Sequence, residues 1–386
     1  MNLSRKPILM FAGTRPEIIK LAPIYQRMRE SPSLVPTFVH TGQQQEIAED
    51  AFRDFGIVPE IRLSLPERKN EVAQMLAALL RSIGASMEQQ QPAGALVQGD
   101  TTTTLAGAMS CFYAGMPFGH VEAGLRTGNL RSPFPEEAHR RMVAQIADWH
   151  FAPTEANRSS LMNEHIKAKG IHVTGNTVID AAEHIAQRLP ATISISSLLP
   201  GDGQTGNSAT LTCDERLVLV TAHRRESFDM GIASICQAVA RIAEDLTDHR
   251  VVFPVHPNPA VRSTVVQILS GASNVLLVDP VGYRDMIWLV KNARAIITDS
   301  GGIQEEAPTF GTPTLVTRDL TERMEAVEAG VIDLVGTDAN RIHAKAIEFA
   351  TGSEAIRQRN LATGNPYGDG HAADRIVTIL ESELSA

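Results

Sequence analysis

The sequence predicts an α/β protein of two doubly wound, Rossmann-like domains facing a central cleft. Three observations predict it. Short continuous apolar runs alternate with stretches of helical spacing along the whole chain, as in parallel sheets covered on both faces by helices. That alternation restarts after residue 177. Several of the runs end in small and polar residues that open a helix, which is where open α/β sheets hold ligands. A chain of 386 residues, 43% of them hydrophobic, is long enough for two such cores.

In chain order, residues 7–12, 37–40, 95–98, 117–121, 149–151 and 171–173 read as strands of the first sheet. Residues 71–81 and 136–147 have helical spacing between them. This first domain covers residues 1–177. The second, 178–371, has strands at 217–221, 251–255, 275–278, 295–298 and 314–316, with helices at 232–246 and 285–292. The Gly/Ser/Thr-rich stretch 194–213 reads as a mobile surface loop. A last helix, from about residue 372, follows Asn365-Pro366-Tyr367-Gly368-Asp369-Gly370 and is expected to cross back onto the first domain.

Composition narrows the function. The net charge is −9 and there is no Lys/Arg-rich block, which argues against a nucleic-acid partner or an anionic membrane surface. Cys111, Cys213 and Cys236 lack metal-ligand spacing and read as free thiols, so no metal is expected. No apolar stretch is long enough to span a bilayer, and the N-terminus does not read as a signal peptide. A cytoplasmic location is expected.

Gly13-Thr14-Arg15-Pro16-Glu17 follows the first strand. Thr14 and Glu17 have capping-box spacing and Pro16 suits a first helical turn. Arg15 and Lys20 need another reason, because cations are disfavoured at a helix N-terminus. A bound phosphate supplies one. Gly99-Asp100 precedes four threonines and places a carboxylate at a strand end, with hydroxyls beside it. His120-Val121-Glu122-Ala123-Gly124 places a second acid at another strand end, with Arg126 read as orienting it or a neighbouring carboxylate. Glu136 opens a helix after Ser132-Pro133-Phe134-Pro135, followed by His139, Arg140 and Arg141.

The second domain carries cations and glycines. His223-Arg224-Arg225 follows a strand and suits a diphosphate. His256, in Pro254-Val255-His256-Pro257, reads as part of a stiff turn. Asp299-Ser300-Gly301-Gly302 opens a helix whose free N–H groups can reach phosphate oxygens. Glu306, one turn on, is better spaced than Glu305 to accept from ribose hydroxyls. Arg323 adds a second anion contact.

Taken in this order, the segments resemble the bacterial non-hydrolysing UDP-N-acetylglucosamine 2-epimerases, from Gly13-Thr14-Arg15-Pro16-Glu17 through to Asn365-Pro366-Tyr367-Gly368-Asp369-Gly370. The resemblance implies a GT-B-type fold, a homodimer, and interconversion of UDP-GlcNAc and UDP-ManNAc with no metal or nicotinamide cofactor. It implies Asp100, Glu122, Glu136 and His223 as the catalytic set. It implies Arg15, Lys20, Ser300, Gly301, Gly302, Glu306 and Arg323 as UDP contacts. A second, activating UDP-GlcNAc site of some members involves the positions of Gln43, Arg225 and His256. Here Gln43-Gln44-Gln45 stands where Gln-His-Arg is common, Val281 where Gln is frequent, and Met324 where Pro is usual.

The implied chemistry is elimination and re-addition. The C2 proton of the sugar has no adjacent carbonyl, and each unit of pKa mismatch with a carboxylate base adds about 1.4 kcal/mol. Loss of UDP from C1 gives that carbon cationic character and acidifies the C2 proton. A 2-acetamidoglucal forms, and UDP adds back after protonation from the other face. The route needs two acid/base groups: Asp100 and Glu136 are the expected pair, with Glu122 orienting or sharing a proton. The alternatives are a glycosyltransferase of the same architecture, a hydrolysing 2-epimerase, a 2-epimerase of a related UDP-2-acetamido sugar, and a non-catalytic UDP-sugar sensor.

Overall fold

The computed structural model describes residues 5–65, 71–198, 208–222 and 230–385, with the backbone alone at 45–47 and 230. Its contacts divide the chain into two units, Met1–Ala181 with Tyr367–Ala386, and Ala182–Pro366. Each holds its own parallel sheet.

Among the described residues the first unit has seven strands: β1 (Lys6–Ala12), β2 (Leu34–His40), β3 (Ile61–Arg62), β4 (Gly94–Gln98), β5 (Phe118–Val121), β6 (Trp149–Ala152) and β7 (Ile171–Val173). Their order is β3-β2-β1-β4-β5-β6-β7, and every pairing is parallel. β1 therefore lies between β2 and β4, with Phe11 opposite Val97. Strand order reverses there, so the loops after β1 and β4 flank the crevice of a doubly wound sheet. Ile8, Leu9, Met10, Phe11 and Ala12 are wholly buried, because helices cover both faces of β1. Burying each large side chain of this run contributes on the order of 1.5–3 kcal/mol.

The second unit opens with an antiparallel hairpin, β8 (Thr192–Ser196) and β9 (Ser208–Thr212). Then come β10 (Leu217–Thr221), β11 (Arg250–Pro254), β12 (Val275–Val278), β13 (Ala293–Thr298), β14 (Thr314–Val316) and β15 (Ile332–Leu334). The parallel order β12-β11-β10-β13-β14-β15 repeats the same reversal, now between β10 and β13. Thr221 and Thr298 end these two strands side by side, their hydroxyl oxygens 2.6 Å apart.

Three features differ from the sequence reading. The stretch taken as a mobile loop contains the β8–β9 hairpin, although residues 199–207 lie outside the described ones. Alternation in Thr192-Ile193-Ser194-Ile195-Ser196 turns Ile193 and Ile195 inward, where they pack in one core with Leu211 and Trp288. The first-unit helix predicted over 71–81 runs over Val72–Gln90, because Ile83 and Met87 continue its buried face. Tyr367–Ala386 belongs with the first unit from five residues before the predicted helix start. Buried Tyr367 is tied there, its carbonyl accepting from the Asn176 N–H at 2.7 Å.

The last helix, Ala372–Ser385, does return to the first unit. The Asp180 carboxylate accepts from the N–H groups of Ala372 (3.3 Å) and Ala373 (2.8 Å) at its N-terminus. A carboxylate there satisfies orphan donors and opposes the helix dipole. Arg27 pairs with Asp374 at 2.6 Å further along.

Candidate active site

In the first unit the site residues gather at the carboxyl ends of β1, β4 and β5. The helix Arg15–Arg29 starts directly after β1. Gly13 precedes it because nothing larger fits: a Cβ there would sit 2.4 Å from the hydroxyls of Thr41 and Thr103. Glu17 turns back to accept from the N–H groups of Gly13 (3.0 Å) and Thr14 (2.8 Å), as the capping spacing predicts. Among the described residues, the Arg15 guanidinium has no hydrogen-bond or carboxylate partner. Gln43 accepts from the Thr103 hydroxyl at 2.9 Å, and the Gln44 side chain accepts from the Arg15 N–H at 3.3 Å.

Asp100 is held from several sides. Its carboxylate lies 2.5 Å from Nη2 of Arg140, and its carbonyl accepts from Nδ1 of His139 at 2.9 Å. The preceding Gly99 carbonyl accepts from Nε2 of His120 at 2.7 Å. His120 is entirely buried, and desolvation pushes its pKa down to about 3, so the ring is a neutral Nε2–H donor. Arg140 itself is anchored by buried Glu137, at 3.4 Å, which also accepts from Arg141 at 3.2 Å and from the Thr127 N–H at 3.0 Å.

Glu122 follows β5 in a left-handed backbone conformation, φ +65°. For a non-glycine residue this costs on the order of 1 kcal/mol and persists only where surroundings enforce it. Here Lys20 pairs with one carboxylate oxygen and the Gln98 amide donates to the other. Asn176 adds a donor at 3.5 Å. Lys20, expected as a UDP contact, thus meets Glu122 instead of standing free. Arg126 does not orient Glu122: it makes a two-pronged pair with Glu164, at 2.9 and 2.8 Å. The reason is position, since Glu164 ends a helix packed beside the Arg126 loop while Lys20 reaches Glu122 from the helix after β1.

Glu136 is the first residue of the helix Glu136–Ile146. Its Oε2 is buried with no hydrogen-bond partner among the described residues. A carboxylate oxygen so placed is poised for a ligand or a proton rather than for the fold.

In the second unit, β13 ends at Thr298, whose hydroxyl accepts from the Ser300 N–H at 2.9 Å. Ser300 caps the helix Gly301–Glu306, directly at the β10/β13 reversal. A Cβ on Gly301 would lie 2.8 Å from the Arg323 guanidinium carbon, so the cation sits against this glycine backbone. Arg323 is fixed by Glu305, at 2.7 Å, and by Glu322. Glu305 therefore serves the arginine, and Glu306 is the acid whose carboxylate would come within 4.0 Å of a Cβ on Gly302. His223 and Arg225 lie outside the described residues. His256 bonds within its own turn, its Nδ1 accepting from the Asn258 N–H at 3.2 Å.

Gln98 and Asn176 are the site residues that sequence reading missed. Gln98 carried a faint signal: it ends the buried run Gly94-Ala95-Leu96-Val97 with an amide where an apolar residue is ordinary. Asn176 carried none beyond following Gly175. Among the described residues there is no cluster of three His, Cys, Asp or Glu able to hold a metal, and no helix long and apolar enough to cross a membrane.

Comparisons with known proteins identify a family. A family model described as UDP-N-acetylglucosamine 2-epimerase matches residues 26–381. The chain is 41% identical over 375 residues to the UDP-N-acetylglucosamine 2-epimerase of Escherichia coli (strain K12), covering 97% of this chain and 98% of that one. It is similar to the UDP-GlcNAc 2-epimerase of Neisseria meningitidis in a crystal structure bound to UDP-GlcNAc. That match has a TM-score of 0.83 and 34% identity over 97% of this chain and 100% of that one. A S. aureus MnaA–UDP co-structure matches with a TM-score of 0.83 and 36% identity, over 98% and 97% of the two chains.

Proposed function

The chain belongs to the UDP-N-acetylglucosamine 2-epimerase family, and on that premise we propose that it interconverts UDP-GlcNAc and UDP-ManNAc without hydrolysis. UDP is eliminated to leave a 2-acetamidoglucal and then adds back. The observation that carries this reading is the set of three acids in the first unit, each in a different setting. Asp100 is paired with Arg140, Glu122 is held by Lys20, Gln98 and Asn176, and Glu136 has a buried oxygen without a partner among the described residues.

Those settings suit separate roles. Removing a proton from one face of C2 and delivering one to the other takes two groups with a free lone pair or proton. Asp100 and Glu136 fill them. Glu122, held by Lys20, Gln98 and Asn176, orients. Within the second unit the Ser300-Gly301-Gly302 N–H groups and Arg323 are assigned to the diphosphate and Glu306 to the ribose, and within the first unit the Arg15 guanidinium is assigned to phosphate. His223 completes the catalytic set as a diphosphate partner. Cations aimed at a departing diphosphate stabilise the charge that develops as the C1–O bond breaks, a large electrostatic contribution. The UDP bound in the S. aureus neighbour and the UDP-GlcNAc bound in that from Neisseria meningitidis support this ligand class. A homodimer at work in the cytoplasm belongs to the same proposal, and sedimentation tests its assembly.

The test uses UDP-GlcNAc as sole substrate, followed by proton and phosphorus NMR. UDP-ManNAc with its diphosphate still attached is the expected product. Free ManNAc with UDP would make the chain a hydrolase. No turnover without an added acceptor would make it a transferase.

A further inference from the structure

Glu17 is a buried acid at this site that the proposed chemistry does not use. As a cap it needs only its own helix, yet its reach is longer. Oε2 accepts from the Gly13 and Thr14 N–H groups and from the Thr14 hydroxyl, all within 3.0 Å. Oε1 points the other way, accepting from the hydroxyl of Thr101 at 2.6 Å and of Thr104 at 3.2 Å. Those threonines are 84 and 87 residues distant in the chain and open the helix behind Asp100. The Thr104 hydroxyl also lies 2.6 Å from the Gln98 carbonyl, and the Gln98 amide holds Glu122.

One helix thus grips both acids. Glu17 holds the Asp100 turn through Thr101, and Lys20, three residues on, holds Glu122. Burial raises the Glu17 pKa, the hydrogen bonds to Thr101, Gly13 and Thr14 opposing the shift. A buried acid that takes donors from a second helix as well as its own exceeds what a helix cap requires.

We propose that Glu17 is a positioning residue that joins the loops after β1 and β4 and thereby sets Asp100 relative to Glu122 for the C2 proton transfer. This rests on the function proposed above. Displacing an acid by about 1 Å costs about 100-fold in rate. Ground-state affinity for UDP is expected to change little, because Ser300-Gly301-Gly302 and Arg323 belong to the second unit and the Arg15 side chain is itself unaltered.

The experiment compares wild type, Glu17→Ala and Glu17→Gln for kcat, KM, UDP affinity by calorimetry, and amide hydrogen exchange across residues 99–104. Glu17→Ala is expected to lower kcat about 100-fold with little change in UDP affinity, and to speed exchange in that segment. Gln keeps an acceptor for the Gly13 and Thr14 N–H groups and offers its amide to the two threonine hydroxyls, so it regains most of kcat. An alanine variant with wild-type kcat and exchange would overturn the proposal, as would a Gln variant no better than Ala. If Glu17→Ala does not fold, Thr101→Val against Thr101→Ser replaces it, with about a tenfold loss expected in Val alone. Equal rates for those two overturn it. A wild type that leaves UDP-GlcNAc unchanged refutes the function instead, and the exchange rates then judge Glu17 by themselves.

Discussion

Lys20 and Glu122, 102 residues apart in the chain, form an ion pair inside the first unit with side chains 11% and 10% exposed. The pair connects the helix after β1 to a residue held at φ +65° after β5. Removing one partner of a buried pair leaves the other charged and uncompensated, at a cost of about 3 kcal/mol. Lys20→Met is therefore expected to lower the urea midpoint and to reduce kcat as Glu122 moves. An unchanged midpoint would show that Gln98 and Asn176 suffice to hold the acid.

Asp100 depends on Arg140 in a comparable way, with the added feature that Arg140 also neutralises buried Glu137. Arg140→Gln is expected to lose about 100-fold in kcat and about 3 kcal/mol of stability, while UDP affinity stays near wild type. Steady-state kinetics beside UDP calorimetry separates the two. Loss of UDP binding with intact kcat would contradict the role assigned to Asp100.

Gly301 has no room for a side chain against Arg323, whose guanidinium carbon is 2.8 Å from the position a Cβ would take. The arginine is fixed by Glu305 and Glu322 and cannot move without breaking a pair. Gly301→Ala is expected to weaken UDP about tenfold, roughly 1.4 kcal/mol, measured by calorimetry. Wild-type affinity would remove Arg323 from the diphosphate contacts.

Acid sensitivity has a named source in His120. Burial lowers its pKa from 6.5 to about 3, so between those values the unfolded chain binds a proton that the folded protein refuses. The stability owed to the neutral ring is complete above pH 6.5 and is lost as pH falls through 6.5 towards 3. By pH 5 the loss is about 2 kcal/mol. Urea unfolding at pH 7 and pH 5 should show wild type losing about that much more than His120→Gln. Parallel losses would place the sensitivity elsewhere.

The second unit's strand-to-helix turn was legible because it is local: Ser300, Gly301 and Gly302 are consecutive after β13, and Glu306 follows by one turn. The acids of the first unit were legible as strand-end residues, since continuous apolar runs mark the strands that carry them. Their partners were not. Lys20 beside Arg15 reads as a second phosphate cation, and only the order β2-β1-β4-β5 brings its helix to Glu122. Arg126, four residues past Glu122, reads as orienting it or a neighbouring carboxylate, and the carboxylate it meets is that of Glu164. The β8–β9 hairpin was hidden by its Ser and Thr content, which outweighed a five-residue alternation with Ile193 and Ile195. Tyr367 gave no sign that it would pair with Asn176 before the last helix begins. For Lys20, Arg126 and Tyr367 the deciding contact joins residues far apart in the chain, which periodicity and spacing do not encode.

The central claim is that the sugar loses its C2 hydrogen while UDP is detached and recovers one from solvent before release. Incubation with UDP-GlcNAc in D₂O, read by proton NMR at C2, tests it most directly. Deuterium is expected at C2 in both UDP-GlcNAc and UDP-ManNAc, with the diphosphate attached to each. UDP-ManNAc formed with its C2 hydrogen fully retained would contradict it.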